Sequence, residues 1–128
     1  MSYIEELGEK AKIASRELLK IGTKTKNDVL LAIADELINK KEEIKAANKI
    51  DLEKGGKNGL SFALLDRMTL TDSRIEGMAQ SLREMAAFPD PIGEVVTGWN
   101  HKNGMSITKK RVPLGVIGMI YESRPNVT

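Results

Sequence analysis

The residues with the richest chemistry stand together at Tyr121-Glu122-Ser123-Arg124-Pro125-Asn126, directly behind the apolar run "VIGMI" at 116–120. Arg124 carries a planar guanidinium whose donors match the oxygens of a carboxylate or phosphate. Asn126 carries an amide donor of the kind that stabilises a developing oxyanion. Pro125 fixes the backbone between them. In open α/β sheets, ligands bind at the carboxyl ends of the strands, so this is the place where such side chains would meet a substrate. The plain alternative is a polar turn after a strand.

Other candidates are weaker. His101 is the sole histidine and has no partner for metal or base chemistry in the pattern, so it reads as an exposed turn residue. The closing Asn126-Val127-Thr128 matches a glycosylation sequon, but "MSYIEELGEKAK" has none of the apolar core of a secretion signal. No metal-ligand spacing, P-loop or G-x-G-x-x-G is present.

The strand that would carry the site follows a long helical stretch. Ile4, Leu7, Ala11, Ala14 and Leu18 recur at helical spacing, and Gly22 closes that helix. Thr25 with Asp28 is spaced as a capping box for a second helix, whose apolar face is Val29, Leu30, Ile33, Leu37 and Ile38. A charged helix follows and is expected to stop at Gly55-Gly56. "LSFALLDRM" reads as a short helix or turn. Thr71 and Ser73 are both candidate caps for a last helix striped by Ile75, Met78, Ala79, Leu82, Met85 and Ala86. These stripes are read as core packing. Pro89 and Pro91 end the helical region, and "EVVTGWN" and "MSITKKRVP" form a hairpin around Asn103-Gly104, where both residues tolerate positive φ. "VIGMI" is continuously apolar, as in a strand covered on both faces. Burying Val116, Ile117, Met119 and Ile120 would contribute about 6–12 kcal/mol, which is comparable with a domain's whole net stability. No partner strand for it follows in the sequence, so the chain is expected to be part of a longer protein, and by itself to be oligomeric, swapped or poorly soluble.

The chain has 128 residues, a net charge of +2 and 4% aromatic residues, with lysines and acids interspersed. Binding to nucleic acid or to an anionic membrane through bulk charge is therefore not expected. Lys109-Lys110-Arg111 reads as a solvated strand edge. With no cysteine, the chain holds no disulfide, thiolate metal site or cysteine nucleophile. A cytoplasmic location fits.

"RVPLGVIGMIYESRPNVT", together with "LLDRMTLTDSRIEGMAQSLREMAAFPDPIGEV" and "AANKIDLEKG", resembles the γ-glutamyl phosphate reductases (glutamate-5-semialdehyde dehydrogenases) of the aldehyde dehydrogenase superfamily. The resemblance covers essentially the whole chain and less than the first third of a typical member. It implies an α/β parent with a Rossmann-type nucleotide-binding domain, this piece being mostly α with a β-hairpin and one buried strand. Residues 1–88 would be the N-terminal helical part of that domain. Residues 89–112 would hold the hairpin, a candidate oligomerisation arm over 94–112 that makes a homo-oligomer. Residues 113–128 would hold the first Rossmann-type strand and the active-site turn. The implied reaction is reduction of L-glutamate 5-phosphate by NADPH to L-glutamate 5-semialdehyde with release of phosphate, in proline biosynthesis. A cysteine thiolate attacks the acyl phosphate, and hydride resolves the thioester. That cysteine lies in a later part of the family's chain, so this chain is expected to be inactive alone. Coupling to the upstream glutamate kinase is a further implied partnership.

Superfamily relatives read Pro-x-Gly-Val…Pro-Trp-Asn-x-Pro, with the asparagine holding the oxyanion. This chain keeps Pro113, Gly115 and Val116 and then departs. Counting from Pro113 puts Arg124 at the asparagine position. Anchoring on the later proline puts Ser123 there. The resemblance therefore implies Arg124 and Ser123 as substrate-binding, Asn126 as the nearest oxyanion amide, and Ile120, Tyr121, Glu122 and Ser123 as bordering the nicotinamide of NADP. The rival reading is a freestanding helical interaction module whose last strand augments a partner's sheet.

Overall fold

A computed structural model describes residues 2–121 and 124–127. Among them are five helices, α1 (Tyr3–Leu18), α2 (Thr23–Asn39), α3 (Lys41–Lys57), α4 (Phe62–Met68) and α5 (Asp72–Ala87), followed by β1 (Val95–Asn100) and β2 (Ser106–Lys110). The helix-then-hairpin order matches the hydrophobic periodicity. The chain divides into two compact units, one of Met1–Thr23 with Pro89–Gly118 and one of Lys24–Phe88 with Met119–Thr128.

In the first unit, α1 opens on a full capping box. Ser2 accepts from the Glu5 amide, and Glu5 returns a carboxylate to the Ser2 amide at 2.7 Å. β1 and β2 pair antiparallel, with Trp99 opposite Ile107 and Gly98 opposite Thr108. The ladder runs on past the strands, since the Arg111 amide donates to Glu94 O and the Gly93 amide to Arg111 O. Arg111 also pairs with the Glu94 carboxylate at 2.7 Å.

In the second unit, α2 and α3 are separated by Lys40 alone, whose amide still donates to Glu36 O. The buried apolar side chains, Ala34 on α2 and Ile75 and Ala79 on α5, are small or at helical spacing. An Arg83–Asp35 ion pair at 2.8 Å joins the same two helices. Asn48 of α3 is 9% exposed and works as a clamp. Its amide donates to Met68 O and its oxygen accepts from the Leu70 amide, both at 2.8 Å. One side chain thus satisfies two backbone groups of the α4–α5 connection.

Several boundaries differ from the sequence expectation. α2 begins at Thr23, so Thr25 lies inside its first turn, and Asp28 pairs with Lys24 at 2.6 Å instead of closing a box with Thr25. Gly55 and Gly56 lie within α3. The stop comes after Asn58, at Gly59 with φ +76°. The Leu60 amide bonds back to Gly55 O and the Gly59 amide to Gly56 O, which is a Schellman closure. A Cβ on Gly55 would come within 2.9 Å of Leu60 Cδ1, so this glycine serves close packing rather than termination. Thr71, not Ser73, caps α5. The stripe of α5 enters the core at Ile75 and Ala79, whereas Ile4, Leu7 and Leu18 of α1 are exposed, as are Val29 and Ile33 of α2. Nothing among the described residues covers them.

The largest departure concerns "VIGMI". Residues 111–121 carry neither helix nor strand, and among the described residues the one sheet has the order β1-β2. The expected buried strand is therefore not formed in this chain. Leu114 is 89% exposed and Ile120 fully so, with Val116, Ile117 and Met119 at least half exposed. A strand exists only through its ladder, and both hairpin strands already pair with each other.

Replacing Asn48 with alanine leaves Met68 O and the Leu70 amide unpaired in a largely buried place. The expected loss is about 1–3 kcal/mol in urea unfolding. An unchanged midpoint would remove the clamp from the account. The Lys45–Asp72 pair, at 2.5 Å, sets a pH dependence. The hydrogen bond to Lys45 holds the Asp72 carboxyl below its ordinary value, and the bonds to Asp72 and Glu42 raise Lys45. The stabilisation from Asp72 is present above the unfolded carboxyl value and fades as pH falls through the lower folded one. That from Lys45 is complete below its unfolded value and fades as pH rises past the folded one. The stability difference between the parent chain and Asp72→Asn should be flat across neutral pH and shrink below about pH 4.

Candidate functional site

The predicted site residues divide into three groups. Glu122 and Ser123 lie outside the described residues. Ile120 and Tyr121 close the irregular apolar segment, one fully exposed and the other about half. Arg124, Pro125, Asn126 and Val127 form a turn in which the Val127 amide donates to Arg124 O at 3.0 Å. Arg-Pro-Asn-Val puts proline at the second position, where its fixed φ pre-sets the turn, and asparagine at the third. Arg124 and Asn126 are both exposed. The turn brings a cationic fork and an amide within two residues of one another on an open surface. This arrangement can bind an anion and donate to an oxygen beside it. It holds no thiol, base or acid that could complete a bond-breaking step.

His101 sits where the sequence puts it, at the hairpin tip. The turn, however, is not built on positive φ at both Asn103 and Gly104. Only glycines have positive φ among the described residues, and Gly104 has +87°. The Gly104 amide donates to His101 O at 2.9 Å, and the His101 amide to Met105 O at 2.7 Å, which makes a three-residue loop closed by a left-handed glycine. His101 Nδ1 lies 2.8 Å from Asn103 Oδ1. The imidazole is thus occupied within its own turn.

Sequence reasoning missed the polar clamps. Besides Asn48, Arg74 of α5 reaches back over the α4–α5 connection. It donates to Thr69 O at 2.7 Å, to Asp66 O, and to both Asp66 carboxylate oxygens at 3.2 Å. Lys41 and Lys45 of α3 converge on Asp72 at the start of α5. The available signal was an asparagine and an arginine inside amphipathic helices, where solvent is the ordinary expectation. A groove of about 560 Å³ between α2 and α3 is lined by Val29, Ile33, Leu37, Ile44 and Ala47 and contains none of the predicted site residues. Among the described residues no group of three or more His, Cys, Asp or Glu could hold a metal. No helix among them is long and apolar enough to cross a membrane.

No family model matches the chain. Individual proteins do. The chain is 56% identical over 128 residues to the γ-glutamyl phosphate reductase of Campylobacter curvus, covering all of this chain and 29% of that protein. It is 56% identical over 119 residues to that of Halothermothrix orenii, covering 93% of this chain and 28% of that one. Its fold matches the crystal structure of γ-glutamyl phosphate reductase from Thermotoga maritima with a TM-score of 0.95 at 39% identity, over 98% of this chain and 30% of that chain. The Saccharomyces cerevisiae enzyme matches at 0.91 and 33% identity, over 99% and 32%. The similarity runs through the helices, the hairpin and the apolar segment alike, and the chain spans about 30% of the length of these relatives.

Val112, Leu114, Val116, Ile117, Met119, Ile120 and Tyr121 all stand exposed along one run of sequence, and exposed apolar surface favours association. The isolated chain should self-associate, with a sedimentation coefficient that rises with concentration. The double substitution Ile117→Lys and Ile120→Lys should return it to a monomer. A parent chain that sediments as a monomer at every concentration would contradict this.

Proposed function

We propose that this chain is the helical, hairpin-bearing part of a γ-glutamyl phosphate reductase, the enzyme that reduces L-glutamate 5-phosphate to L-glutamate 5-semialdehyde with NADPH and releases phosphate in proline biosynthesis. The observation that carries the proposal is similarity to reductases along the whole chain, 56% identity over 128 residues to one of them, joined to a solved fold at TM-score 0.95. A chain that spans 29% of such a relative and has no cysteine has no nucleophile of its own for the acyl phosphate. The rest of the enzyme supplies it, and this chain alone has no turnover.

Within that reading the turn has two tasks. Arg124 pairs with an anionic group of the substrate, which carries one free carboxylate and an acyl phosphate. Its fork suits two oxygens at once. Asn126 donates its amide N–H to the oxygen that gathers charge as the acyl carbon becomes tetrahedral. Two residues on one proline-fixed turn can do both without moving relative to each other, and that preorganisation lowers the cost of reaching the transition state. The nicotinamide supplies the hydride when NADP is bound. The exposed side chain of Ile120 and the half-exposed ring of Tyr121 offer it an uncharged surface.

The apolar run 113–121 takes its place as the first strand of a Rossmann-type sheet, paired by strands from the remainder of the enzyme. The hairpin over 94–112 acts as an oligomerisation arm. Trp99 and Ile107 form a cross-strand pair on a ribbon with little covering it, and two-stranded ribbons are stable only against a partner. The enzyme works in the cytoplasm, on acyl phosphate made by glutamate kinase.

Arg124→Ala in the whole enzyme should raise KM for the acyl phosphate at least about tenfold, since hydrogen bonds to charged groups are worth ~1.5–3 kcal/mol. KM for NADPH should stay within about twofold by the same reasoning. Equal effects on both substrates, or none, would contradict the assignment.

A further inference from the structure

The tripeptide Lys-Asn-Gly occurs twice, at Lys57-Asn58-Gly59 and at Lys102-Asn103-Gly104. Asparagine before glycine is open to attack on its own side chain, because no Cβ on the following residue shields the nucleophilic nitrogen. The peptide nitrogen of the glycine gives up its proton to solvent base and bonds to Cγ of asparagine. The C–N bond of the carboxamide then breaks and ammonia leaves. Water opens the resulting five-membered imide at either carbonyl, giving aspartate or its β-linked isomer. No oxidant or reductant is consumed.

The local sequence is the same at both places, so any difference between them comes from the fold. Asn58 and Gly59 are exposed, as Asn103 and Gly104 are, but at Asn58 the backbone is tied into the closure of α3. The Asn58 amide bonds to Lys54 O, the Gly59 amide to Gly56 O and the Leu60 amide to Gly55 O, at 3.0–3.1 Å. Leu60 is wedged against Gly55, so closely that a Cβ there would lie 2.9 Å from Leu60 Cδ1 and 3.1 Å from Leu65 Cδ2. Freeing the Gly59 nitrogen therefore means undoing the end of α3 and its contact with α4. At Asn103 the equivalent bond, from the Gly104 amide to His101 O, belongs to the exposed tip of a two-stranded ribbon. Such ribbons open locally at little cost. The Asn103 carboxamide is moreover polarised: its oxygen accepts from the Met105 amide at 3.2 Å, which draws electron density from the carbon under attack. The Asn58 carboxamide has no hydrogen bond among the described residues.

We propose that Asn103 is a site of spontaneous deamidation in the folded chain and that it converts well ahead of Asn58. The product changes the hairpin. A new carboxylate stands beside Lys102 and His101, and the β-linked isomer adds a backbone atom to a three-residue loop whose closure fixes the strand register. The tip therefore works as an ageing site on the very arm that the proposed assembly uses.

The test is incubation of the 128-residue chain at mildly alkaline pH, with peptide mass mapping of both Lys-Asn-Gly peptides over time. A parallel sample in urea removes the fold. In the folded chain Asn103 should convert at least about tenfold faster than Asn58, the difference in local opening between a hairpin tip and a helix end closed by two back-bonds and the Leu60 contact. In urea the two rates should agree within about twofold, since the fold no longer separates them. The Asn103→Gln chain should lose the fast event and keep the slow one. Equal rates in the folded chain, a faster Asn58, or the same ratio in urea would each overturn the proposal.

Discussion

Backbone amides and carbonyls in an apolar stretch must be paired once water is removed, and residues 112–120 join no strand ladder among the described residues. That single constraint organises the rest. The segment is apolar enough for burial to be worth about 6–12 kcal/mol over four side chains, yet Ile120 stands fully exposed. The hairpin cannot take it in, since β1 and β2 pair only with each other. The turn that bears Arg124 and Asn126 directly follows this unpaired segment. A polar turn positions chemistry only when the strand before it is fixed, so the site and the missing ladder are one problem.

The helical unit solves a different problem. Its buried apolar content is small, and its connections are held by polar side chains that reach for backbone. Asn48 clamps Met68 and Leu70, Arg74 clamps Asp66 and Thr69, and the Gly55–Leu60 closure locks the end of α3. Each replaces solvent at a backbone group that would otherwise be unpaired. These bonds define the α3–α4–α5 path with little help from hydrophobic burial, which leaves the outer faces of α1 and α2 apolar and exposed. Such faces are what a domain shows where other parts of a larger protein pack on it.

Much of this was legible in the residues. The order of helices and then a hairpin follows from the 3.6-residue stripes and from Pro89 and Pro91, whereas the choice of Thr71 over Ser73 as the cap, and of helix over turn for α4, came only with the structure. Element ends were less legible. Gly55 and Gly56 look like a helix stop, but Gly55 is required by the approach of Leu60, and the true stop is the positive φ of Gly59. The hairpin was readable but its loop type was not: Asn-Gly suits two kinds of turn, and the bond from the Gly104 amide to His101 O selects the three-residue one. The clamps were invisible because an asparagine or arginine in a helix gives no sign of which distant carbonyl it meets. Of the candidate site, the Arg-Pro-Asn turn was readable from proline geometry. The burial of "VIGMI" was readable only as a demand, because its fulfilment depends on residues elsewhere.

The reading of this chain as part of a reductase stands or falls with the fate of that apolar segment. Hydrogen exchange at the amides of Val116–Tyr121 reports it directly, measured in the 128-residue chain as a dilute monomeric sample and again in a whole reductase that contains the chain. Rapid exchange in the first and protection by about a thousandfold or more in the second is the expected result, as for an interior strand whose opening approaches global unfolding. The same exchange rates in both would mean that the segment never becomes a strand, and Arg124 and Asn126 would then have nothing to hold them at a site.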